Sequence, residues 1–239
     1  MSAALERPTR SDAAALAASA VTEPSVQATA IDGGASGASE TFDLKRVVDV
    51  LAAGCLLVFG FPLCLLVGLV ITLEDGWPVL FRQTRVGRAG APFTLYKLRS
   101  MRRDAEADSG PQWAAINDAR ITRVGRWIRA LRIDEIPQAW NVLRGDMSFV
   151  GPRPEQVEFV RLLGELIPGY EQRHRIRPGI TGWAQVNQPH SGTVEEARLK
   201  HAYDLQYLER RSLRLDAQIL LRTATIILLG WGATRRPPR

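Results

Sequence analysis

The amino-acid sequence predicts an α+β fold that is mostly helical and attached to one face of a membrane. We expect a small monotopic membrane domain with a re-entrant helix hairpin, a short β-hairpin and interfacial amphipathic helices. Three observations support this class: one long apolar segment at residues 47–73, two strand patterns around the turn Val86–Gly90, and apolar residues at helical spacing between Leu215 and Ile227.

The composition fits one folded domain with tails and indicates an anionic partner. Of the 239 residues, 46% are hydrophobic, which is enough for a packed core. Lys and Arg total 31 against 25 Asp and Glu, so the formal net charge is +6. Such an excess favours nucleic acid, acidic lipid or phosphorylated substrates as partners. No sequence pattern of soft-metal ligands is present, whereas a hard cation held by carboxylates stays open.

The chain divides into four parts. Residues 1–41 are rich in Ala, Ser, Gly and Thr, and we expect them to form a disordered tail. Residues 42–73 are the predicted re-entrant membrane helix. Residues 74–232 are the predicted cytoplasmic interfacial domain, which ends in an amphipathic helix, and residues 233–239 form a second tail.

The apolar segment has the length of a membrane helix and a proline near its centre. No charged residue occurs from Val50 to Leu73, and a crossing helix needs about 20 apolar residues. Pro62 predicts a break or a kink. A re-entrant hairpin would keep both flanking basic clusters on one membrane face, and these clusters are Lys45 and Arg46 before the segment and Arg82, Arg85 and Arg88 after it. A single span oriented by the heavier cluster is the alternative.

Short elements are expected after the apolar segment. Phe93–Arg99 reads as the returning strand of a β-hairpin whose turn is Val86–Gly90. Residues 101–116 are polar and either irregular or helical, and residues 121–131 and 155–166 show helical patterns. The pattern from Leu215 to Ile227 fits a helix at a membrane interface or a core-facing helix equally well.

Two adjacent carboxylates, Asp134 and Glu135, precede another helical pattern. Pro137 is tolerated in a first helical turn, so Asp134 is a candidate N-cap and the helix is expected to end at Gly145. One interpretation is that Asp134 merely caps the helix and Glu135 favours its dipole. The other is that the helix start attracts phosphate while one carboxylate attacks it or holds a metal ion.

A proline-fixed corner and a glycine-containing loop follow the carboxylates. In Gly151–Pro154, two prolines restrict the backbone around Arg153, whose guanidinium is suited to pairing with phosphate. A rigid turn with a solvent-facing arginine explains the same pattern. Residues 177–186 supply backbone donors, Thr181, Gln185 and an aromatic surface on which a uracil or sugar ring could stack, or they form a structural loop.

Five ordered motifs resemble those of the bacterial sugar transferases, the monotopic polyprenyl-phosphate phosphoglycosyl transferases. The motifs are KRVVDVLAA, VLFRQTRVG, FTLYKLRSM, LRIDEIPQAWNVLRGDMSFVGPRPE and RPGITGWAQVN. The resemblance covers about residues 42–232. It points to the short form of the family, because the sequence before the apolar segment is too short for the N-terminal multi-span domain of the large members.

The resemblance implies a reaction and roles for particular residues. The family transfers a sugar 1-phosphate from a UDP-sugar to polyprenyl (undecaprenyl) phosphate and releases UMP, with Mg²⁺ as cofactor. By analogy, Asp134 is the nucleophile that forms a covalent phosphosugar intermediate, Glu135 assists, and the two carboxylates hold the metal ion. The family's re-entrant helix is broken near a proline that matches Pro62, although Phe61 stands where Ser is frequent. The expected substrate and phosphate ligands are Lys97, Arg99, Arg129, Arg153, Arg177, Thr181 and Gln185.

The resemblance also implies a location and partners. We expect the bacterial inner membrane, with the catalytic domain on the cytoplasmic face, and a role in the first membrane step of exopolysaccharide, capsule or other glycoconjugate synthesis. The C-terminal region favours UDP-glucose or UDP-galactose as donor, and a homodimer is compatible with the sequence. The alternative function is a membrane-anchored basic protein that binds nucleic acid or lipid in an assembly, although no recognised nucleic-acid motif is present.

Overall fold

A computed structural model describes residues 39–105, 118–188 and 193–229, with side chains from residue 44 onward. Seven α-helices occur in these ranges: α1 Ser39–Asp75, α2 Arg123–Ala130, α3 Gln138–Arg144, α4 Val157–Leu166, α5 Trp183–Asn187, α6 Val194–Arg210 and α7 Leu213–Leu228. Four strands complete the fold: β1 Leu80–Val86, β2 Pro92–Leu98, β3 Ser148–Val150 and β4 Gly179–Thr181. The predicted class of a mostly helical chain with a short β-hairpin is confirmed. Most of the two predicted tails lies outside the described residues.

The apolar segment forms the middle and end of α1. Within the described ranges, Leu44–Asp75 is the one helical stretch long and apolar enough to cross a membrane. Only 22% of its most apolar part is buried by the rest of the chain. Large side chains such as Val58, Phe59 and Leu73 are 69%, 80% and 78% exposed. This helix is therefore a candidate membrane anchor.

The helix continues through Pro62 as secondary structure, and the predicted kink or break in its axis stays a prediction. Ser39–Asp75 is one helix with Pro62 inside it. A proline removes one backbone donor and can kink a helix, but the remaining hydrogen bonds allow the helix to continue. The re-entrant placement of this helix in a membrane stays a prediction.

One stripe of α1 packs against the rest of the chain along the whole described length of the helix. Ala53 is fully buried in a core cluster with Leu95, Ala139, Val142 and Met147. Further along, Ile71 lies in a second cluster with Leu98 and Ile128. The stripe recurs at helical spacing, so the opposite faces of the helix stay exposed.

The predicted β-hairpin is confirmed. Strands β1 and β2 pair antiparallel from Leu80 opposite Leu98 to Val86 opposite Pro92, and a short 3₁₀ turn, Arg88–Gly90, connects them. The positive φ of Gly90 (78°) fits the turn, because glycine adopts this conformation without steric cost. The hairpin places Lys97 near the end of β2.

The helix expected after the two carboxylates begins later than predicted. Asp134 lies inside a 3₁₀ turn, Ile133–Glu135, and Pro137 occupies the N-cap position of α3. The prediction of Asp134 as an N-cap is therefore wrong. Its carboxylate is directed into a buried site instead, because the chain reverses direction at Arg132. The predicted end at Gly145 is confirmed, with φ 93° at that residue.

Two short parallel strands hold the Gly151–Pro154 corner against residues 177–182. Ser148 lies opposite Gly179, and Val150 opposite Thr181. A Cβ atom added at Gly151 would lie 2.6 Å from the carbonyl oxygen of Arg177, and one added at Gly179 would lie 2.1 Å from the amide nitrogen of Gly151. Both positions therefore need glycine, and the close approach fixes the backbone on either side of Arg153.

The C-terminal helix buries one side and exposes the other, so the core-facing interpretation of its pattern is confirmed for the buried side. Asp216 and Ile219 on one side of α7 are buried, and Ile219 packs with Val150 and Tyr207. On the other side, Leu221 and Leu228 are 69% and 85% exposed. An interfacial position of the exposed side stays a prediction.

Candidate active site

The two carboxylates are buried together in a strained turn. Asp134 and Glu135 are 7% and 8% exposed. Arg132, directly before this turn, has φ 57° and ψ 21°, a left-handed conformation that is uncommon for a residue with a side chain. Such conformations cost about 1–3 kcal/mol and cluster at functional sites. Both acidic side chains are buried in this turn, and the charge of Glu135 acts on Asp134.

The two carboxylates differ in their partners. The Oε1 atom of Glu135 accepts from Arg132 Nη1 at 3.0 Å and from Arg153 Nη2 at 3.1 Å. The Oδ1 atom of Asp134 is buried and has no hydrogen-bond partner among the described residues. An unsatisfied buried acceptor costs about 1–3 kcal/mol and calls for an explanation. Glu135 is thus held in place, while Asp134 has an oxygen free for a ligand.

Cations from three separate parts of the chain act on the pair. Lys97 comes from β2, Arg129 from the last turn of α2, and Arg153 from the proline-fixed corner. The charges of Lys97, Arg129 and Arg132 all favour the ionised form of Asp134. Sequence analysis singled out Lys97, Arg129 and Arg153, and the structure brings these three to the carboxylates.

The pKa values of the two carboxylic acids are shifted in opposite directions. Burial, and after it the charge of the neighbouring Glu135, raise the pKa of Asp134 to about 6 against the opposing cations. Burial alone would also raise the pKa of Glu135, but Arg153 and Arg132 outweigh it, so this pKa is lowered. Burial lowers the pKa of Lys97 to about 8, with Asp134 opposing the shift. Near neutral pH, both carboxylates are mostly ionised and Lys97 is mostly charged.

A buried ion pair supports Arg153 from behind. Arg173 is 1% exposed, and its Nη2 atom donates to the carbonyl oxygen of Arg153 at 2.8 Å. Its Nε atom donates to Asp204 at 2.9 Å, and Nη1 to the hydroxyl of Tyr170 at 3.0 Å. All three guanidinium nitrogens are engaged, so the backbone of the corner is fixed relative to α6, which carries Asp204.

Glu155 completes this support. It forms an ion pair with Lys200 of α6, and Arg85 of β1 lies 3.9 Å from its carboxylate. Burial would raise its pKa, but Lys200, Arg173 and Arg85 together lower it to about 2. The corner is thereby tied to both the β-hairpin and α6.

Four residues that the sequence pointed to have other contacts. Arg99 donates to the carbonyl oxygens of Asp75 and Gly76, at the end of α1. Arg177 donates to the carbonyl oxygen of Gly145 at 2.8 Å. The Thr181 hydroxyl bonds to that of Thr223 at 2.8 Å, and Gln185 donates to the Ile180 carbonyl oxygen at 2.8 Å. These contacts do not join them to the carboxylate pair, and their role in substrate binding stays a prediction.

The carboxylates fit a magnesium ion whose remaining ligands come from substrate phosphates and water. No group of three or more His, Cys, Asp or Glu that could hold a metal ion occurs in the described residues, so a cage made only of protein ligands is absent there. Mg²⁺ commonly takes one or two carboxylates together with substrate phosphates and water. The unpartnered Oδ1 of Asp134 suits such a ligand set.

The supporting residues Arg173, Asp204 and Lys200 were not found from the sequence. Arg173 and Asp204 are 31 positions apart, and neither belongs to a short pattern with a known chemistry. The available signal was weak: Lys200 is one of only three lysines in the chain.

Comparison with known proteins places the chain among its relatives. The family model described as bacterial sugar transferase matches residues 40–230. A UDP-N-acetylgalactosamine-undecaprenyl-phosphate N-acetylgalactosaminephosphotransferase of Aeromonas hydrophila is 46% identical over 190 residues, which cover 80% of this chain and 45% of that relative. A UDP-glucose:undecaprenyl-phosphate glucose-1-phosphate transferase of Caulobacter vibrioides is 48% identical over 186 residues, covering 77% and 69% of the two chains.

A third relative is similar in size. The uncharacterized sugar transferase EpsL of Bacillus subtilis is 41% identical over 191 residues, which cover 79% of this chain and 89% of that protein. The chain thus spans less than half of the Aeromonas relative but most of the Bacillus one. With the family model matching most of the sequence, the chain belongs to the bacterial sugar transferase family.

Proposed function

We propose that this protein transfers a sugar 1-phosphate from a UDP-sugar to undecaprenyl phosphate and releases UMP, with Asp134 as the nucleophile. The observation that carries this proposal is the buried Asp134 carboxylate, which has one unpartnered oxygen beside a lysine and several arginines. The functions for which the Aeromonas and Caulobacter relatives are named support the substrate classes. An inert structural carboxylate would be expected to have both oxygens satisfied.

The reaction proceeds in two displacements at one phosphorus atom. In the first, a carboxylate oxygen of Asp134 bonds to the phosphorus that carries the sugar, and the bond from that phosphorus to the bridging oxygen breaks, so UMP leaves. In the second, a phosphate oxygen of the lipid acceptor attacks the same phosphorus and the bond to Asp134 breaks. Polyprenyl diphosphate sugar is formed and the carboxylate is regenerated.

The surrounding cations counter the repulsion between the nucleophile and its substrates. Both substrates and Asp134 are anionic, so attack requires compensating charge at the phosphoryl oxygens. The charges of Lys97 and Arg129 favour the ionised form of Asp134, and Arg153 donates a hydrogen bond to Glu135. Mg²⁺ held by Asp134 or Glu135 and the donor phosphates would supply further charge compensation. Glu135 keeps Arg132 and Arg153 in place.

The contacts of α1 support a re-entrant placement with both ends on one membrane face. At its start, Lys45 pairs with Asp216 at 2.5 Å, and Arg46 donates to the carbonyl oxygens of Val142 and Leu143. At its end, Glu74 accepts from the backbone nitrogens of Arg123 and Val124 at 2.8 and 3.0 Å. Both ends therefore touch the same folded body. A straight span would carry one end across a hydrocarbon core of about 30 Å.

Exposed aromatic residues support an interfacial position for the catalytic part. Trp77, Trp127 and Trp140 are 71%, 73% and 51% exposed, and tryptophan is enriched at headgroup depth. The active site then lies at the height of the acceptor phosphate. The location we propose is the cytoplasmic face of the bacterial inner membrane, where a UDP-sugar is available. UDP-glucose or UDP-galactose is the donor proposed from sequence, UDP-N-acetylgalactosamine follows from the Aeromonas relative, and a homodimer stays open to measurement.

The reaction is tested by product release and by trapping of the intermediate. Purified protein with undecaprenyl phosphate and Mg²⁺ is offered a panel of radiolabelled UDP-sugars, and UMP and labelled lipid are quantified. Asp134→Ala should abolish both products. Rapid quenching followed by mass spectrometry of the peptide containing Asp134 should reveal a phosphosugar adduct. Continued UMP release by Asp134→Ala would exclude this residue as nucleophile.

The membrane placement is tested by labelling from outside. In a variant whose native Cys55 and Cys64 are replaced by Ser, single cysteines are introduced in the N-terminal tail and at Gly90. A membrane-impermeant thiol reagent should leave both positions unlabelled in intact cells and label both in inverted vesicles. Labelling of the two positions from opposite sides would refute the re-entrant placement.

A further inference from the structure

A second group of cations surrounds a cavity at the N-terminal end of α1. The cavity has a volume of about 350 Å³, and its charged lining residues are Lys45, Arg46, Asp49, Arg177, Arg211 and Asp216. The Asp134–Glu135 pair, called the dyad below, lies further along α1: a Cβ atom added at Gly60 would lie 2.9 Å from the side chain of Ile136, the residue after Glu135. Arg46 and Gly60 are 14 positions apart in the sequence. Since a helix rises 1.5 Å per residue, the two sites are separated by roughly 20 Å along α1.

Basic side chains outnumber acidic ones in the lining of the cavity. Four basic residues and two carboxylates line it, which gives a formal net charge of +2 for the lining. Lys45 pairs with Asp216 at 2.5 Å, and Asp49 accepts from the backbone nitrogen of Phe149 at 3.2 Å. Arg211 forms no ion pair with any residue in ranges 39–105, 118–188 and 193–229. An anion is therefore the ligand that the lining favours.

The rest of the lining combines apolar side chains with the hydroxyl groups of Ser148, Tyr207 and Ser212, and the cavity lies next to the apolar stretch of α1. Val150, Ile176 and Leu213 contribute to the lining. Lys45 and Arg46 directly precede the apolar stretch of α1, so the cations lie where lipid headgroups would be. A site built for free phosphate gains little from apolar walls, whereas an amphiphile uses both kinds of surface.

We propose that this cavity binds the phosphodiester headgroup of an anionic membrane phospholipid, with Lys45 and Arg211 facing the phosphate. The proposal rests on the membrane placement given under the proposed function. Binding there would fix the depth and rotation of the protein, because the start of α1, the β3 strand and the start of α7 all meet at the cavity. The active site would then be held at a constant height relative to the acceptor lipid.

The test measures lipid retention in nanodiscs of phosphatidylcholine that contain an increasing fraction of phosphatidylglycerol. Native mass spectrometry counts the lipids kept by the wild type, by Arg211→Gln and by the double variant Lys45→Gln/Arg211→Gln. Each basic residue near a membrane surface contributes about fivefold to the affinity for anionic lipid. We therefore expect a loss of about fivefold in Arg211→Gln and of about 25-fold in the double variant. Arg214→Gln is the matched control, because Arg214 lies in the first turn of α7 but lines a different cavity.

The proposal predicts one retained phosphatidylglycerol per wild-type chain, a loss in both cavity variants and no loss in Arg214→Gln. Equal loss in Arg214→Gln, or no preference for phosphatidylglycerol over phosphatidylcholine, would overturn it. Displacement of the lipid by millimolar inorganic phosphate or glycerol 3-phosphate would also overturn it and assign the cavity to a free anion. Thermal unfolding of each variant checks that the fold is intact.

A second measurement distinguishes a failure of this lipid site from a failure of the proposed reaction. It is the release of UMP by the wild type in detergent that contains no phosphatidylglycerol. Protein that retains the lipid but releases no UMP would refute the reaction alone. Protein that releases UMP but retains no phosphatidylglycerol would refute the headgroup site alone.

Discussion

Replacing the proposed nucleophile by its amide should abolish transfer and at the same time stabilise the fold. The pKa of Asp134 lies at about 6 against an ordinary value of 3.8, with burial as the main cause. At 1.36 kcal/mol per pH unit, this difference corresponds to about 3 kcal/mol. Because the folded state holds the proton more tightly than the unfolded state, ionisation of Asp134 destabilises the fold at neutral pH.

The pH dependence of this effect has a definite sign. Above pH 6 the carboxylate is ionised in both states, and the folded protein bears the full penalty. Below pH 3.8 it is protonated in both states, and the penalty vanishes. Asp134→Asn cannot ionise, so its advantage over the wild type should be about 3 kcal/mol at pH 8 and about half of that at pH 5.

The measurement is thermal unfolding in detergent without donor or Mg²⁺, at both pH values. For a chain of this size, about 3 kcal/mol corresponds to a rise of roughly 6–12 °C in melting temperature. Glu135→Gln is the matched control with the opposite sign, since the pKa of Glu135 is lowered by Arg153 and Arg132 against its burial. We expect this variant to lose about 2 kcal/mol at pH 8. An Asp134→Asn protein that melts below the wild type at pH 8 would refute the electrostatic assignment.

Three further predictions concern the surroundings of the dyad. The kcat/KM for donor should rise through pH 6, where Asp134 ionises, and fall above pH 8, where Lys97 loses its charge. Lys97→Arg should move only the fall of this pH profile, to above about pH 10. A fall that stays near pH 8 in this variant would rule out Lys97 as its source. Gly60→Ala should lower kcat and the melting temperature, because its Cβ would lie 2.9 Å from Ile136, whereas Gly54→Ala, with nothing within 4 Å, should change neither. Arg173→Met should destabilise the protein by about 3–5 kcal/mol, since it leaves a buried carboxylate unpaired. Adding Asp204→Leu should restore the melting temperature but not the KM for donor, and recovery of both would show that Arg173 does not position Arg153.

The features that sequence analysis predicted correctly depend on local signals. The β-hairpin follows from a turn between two strand patterns, and the end of α3 follows from Gly145. The convergence of Lys97, Arg129 and Arg153 on the carboxylates came instead from the ordered motifs of a family. For Arg153, its own sequence pattern left a rigid turn with a solvent-facing arginine as the alternative.

The features that it missed depend on contacts between distant segments. The N-cap prediction for Asp134 used only its neighbours, whereas the left-handed Arg132 directs this residue into the interior. The sequence left a break or a kink open at Pro62, and the helix continues there because it can tolerate one lost hydrogen bond. Arg173 is held beside the backbone of Arg153 by its ion pair with Asp204, which lies on another helix. No local sequence pattern predicts such a pair.

The packing of α1 has a consequence for the modularity of the protein. Because Ala53 and Ile71 belong to clusters that also contain residues of the β-hairpin, α2 and α3, the apolar helix supplies part of the interior of the catalytic domain. Removing it would expose apolar surface on the remaining chain at about 25 cal/mol per Å². We therefore expect that deleting this helix, or exchanging it for an unrelated apolar one, would unfold the rest of the chain. Its buried face belongs to the fold and its exposed face to the candidate membrane anchor, so a single helix is constrained by both.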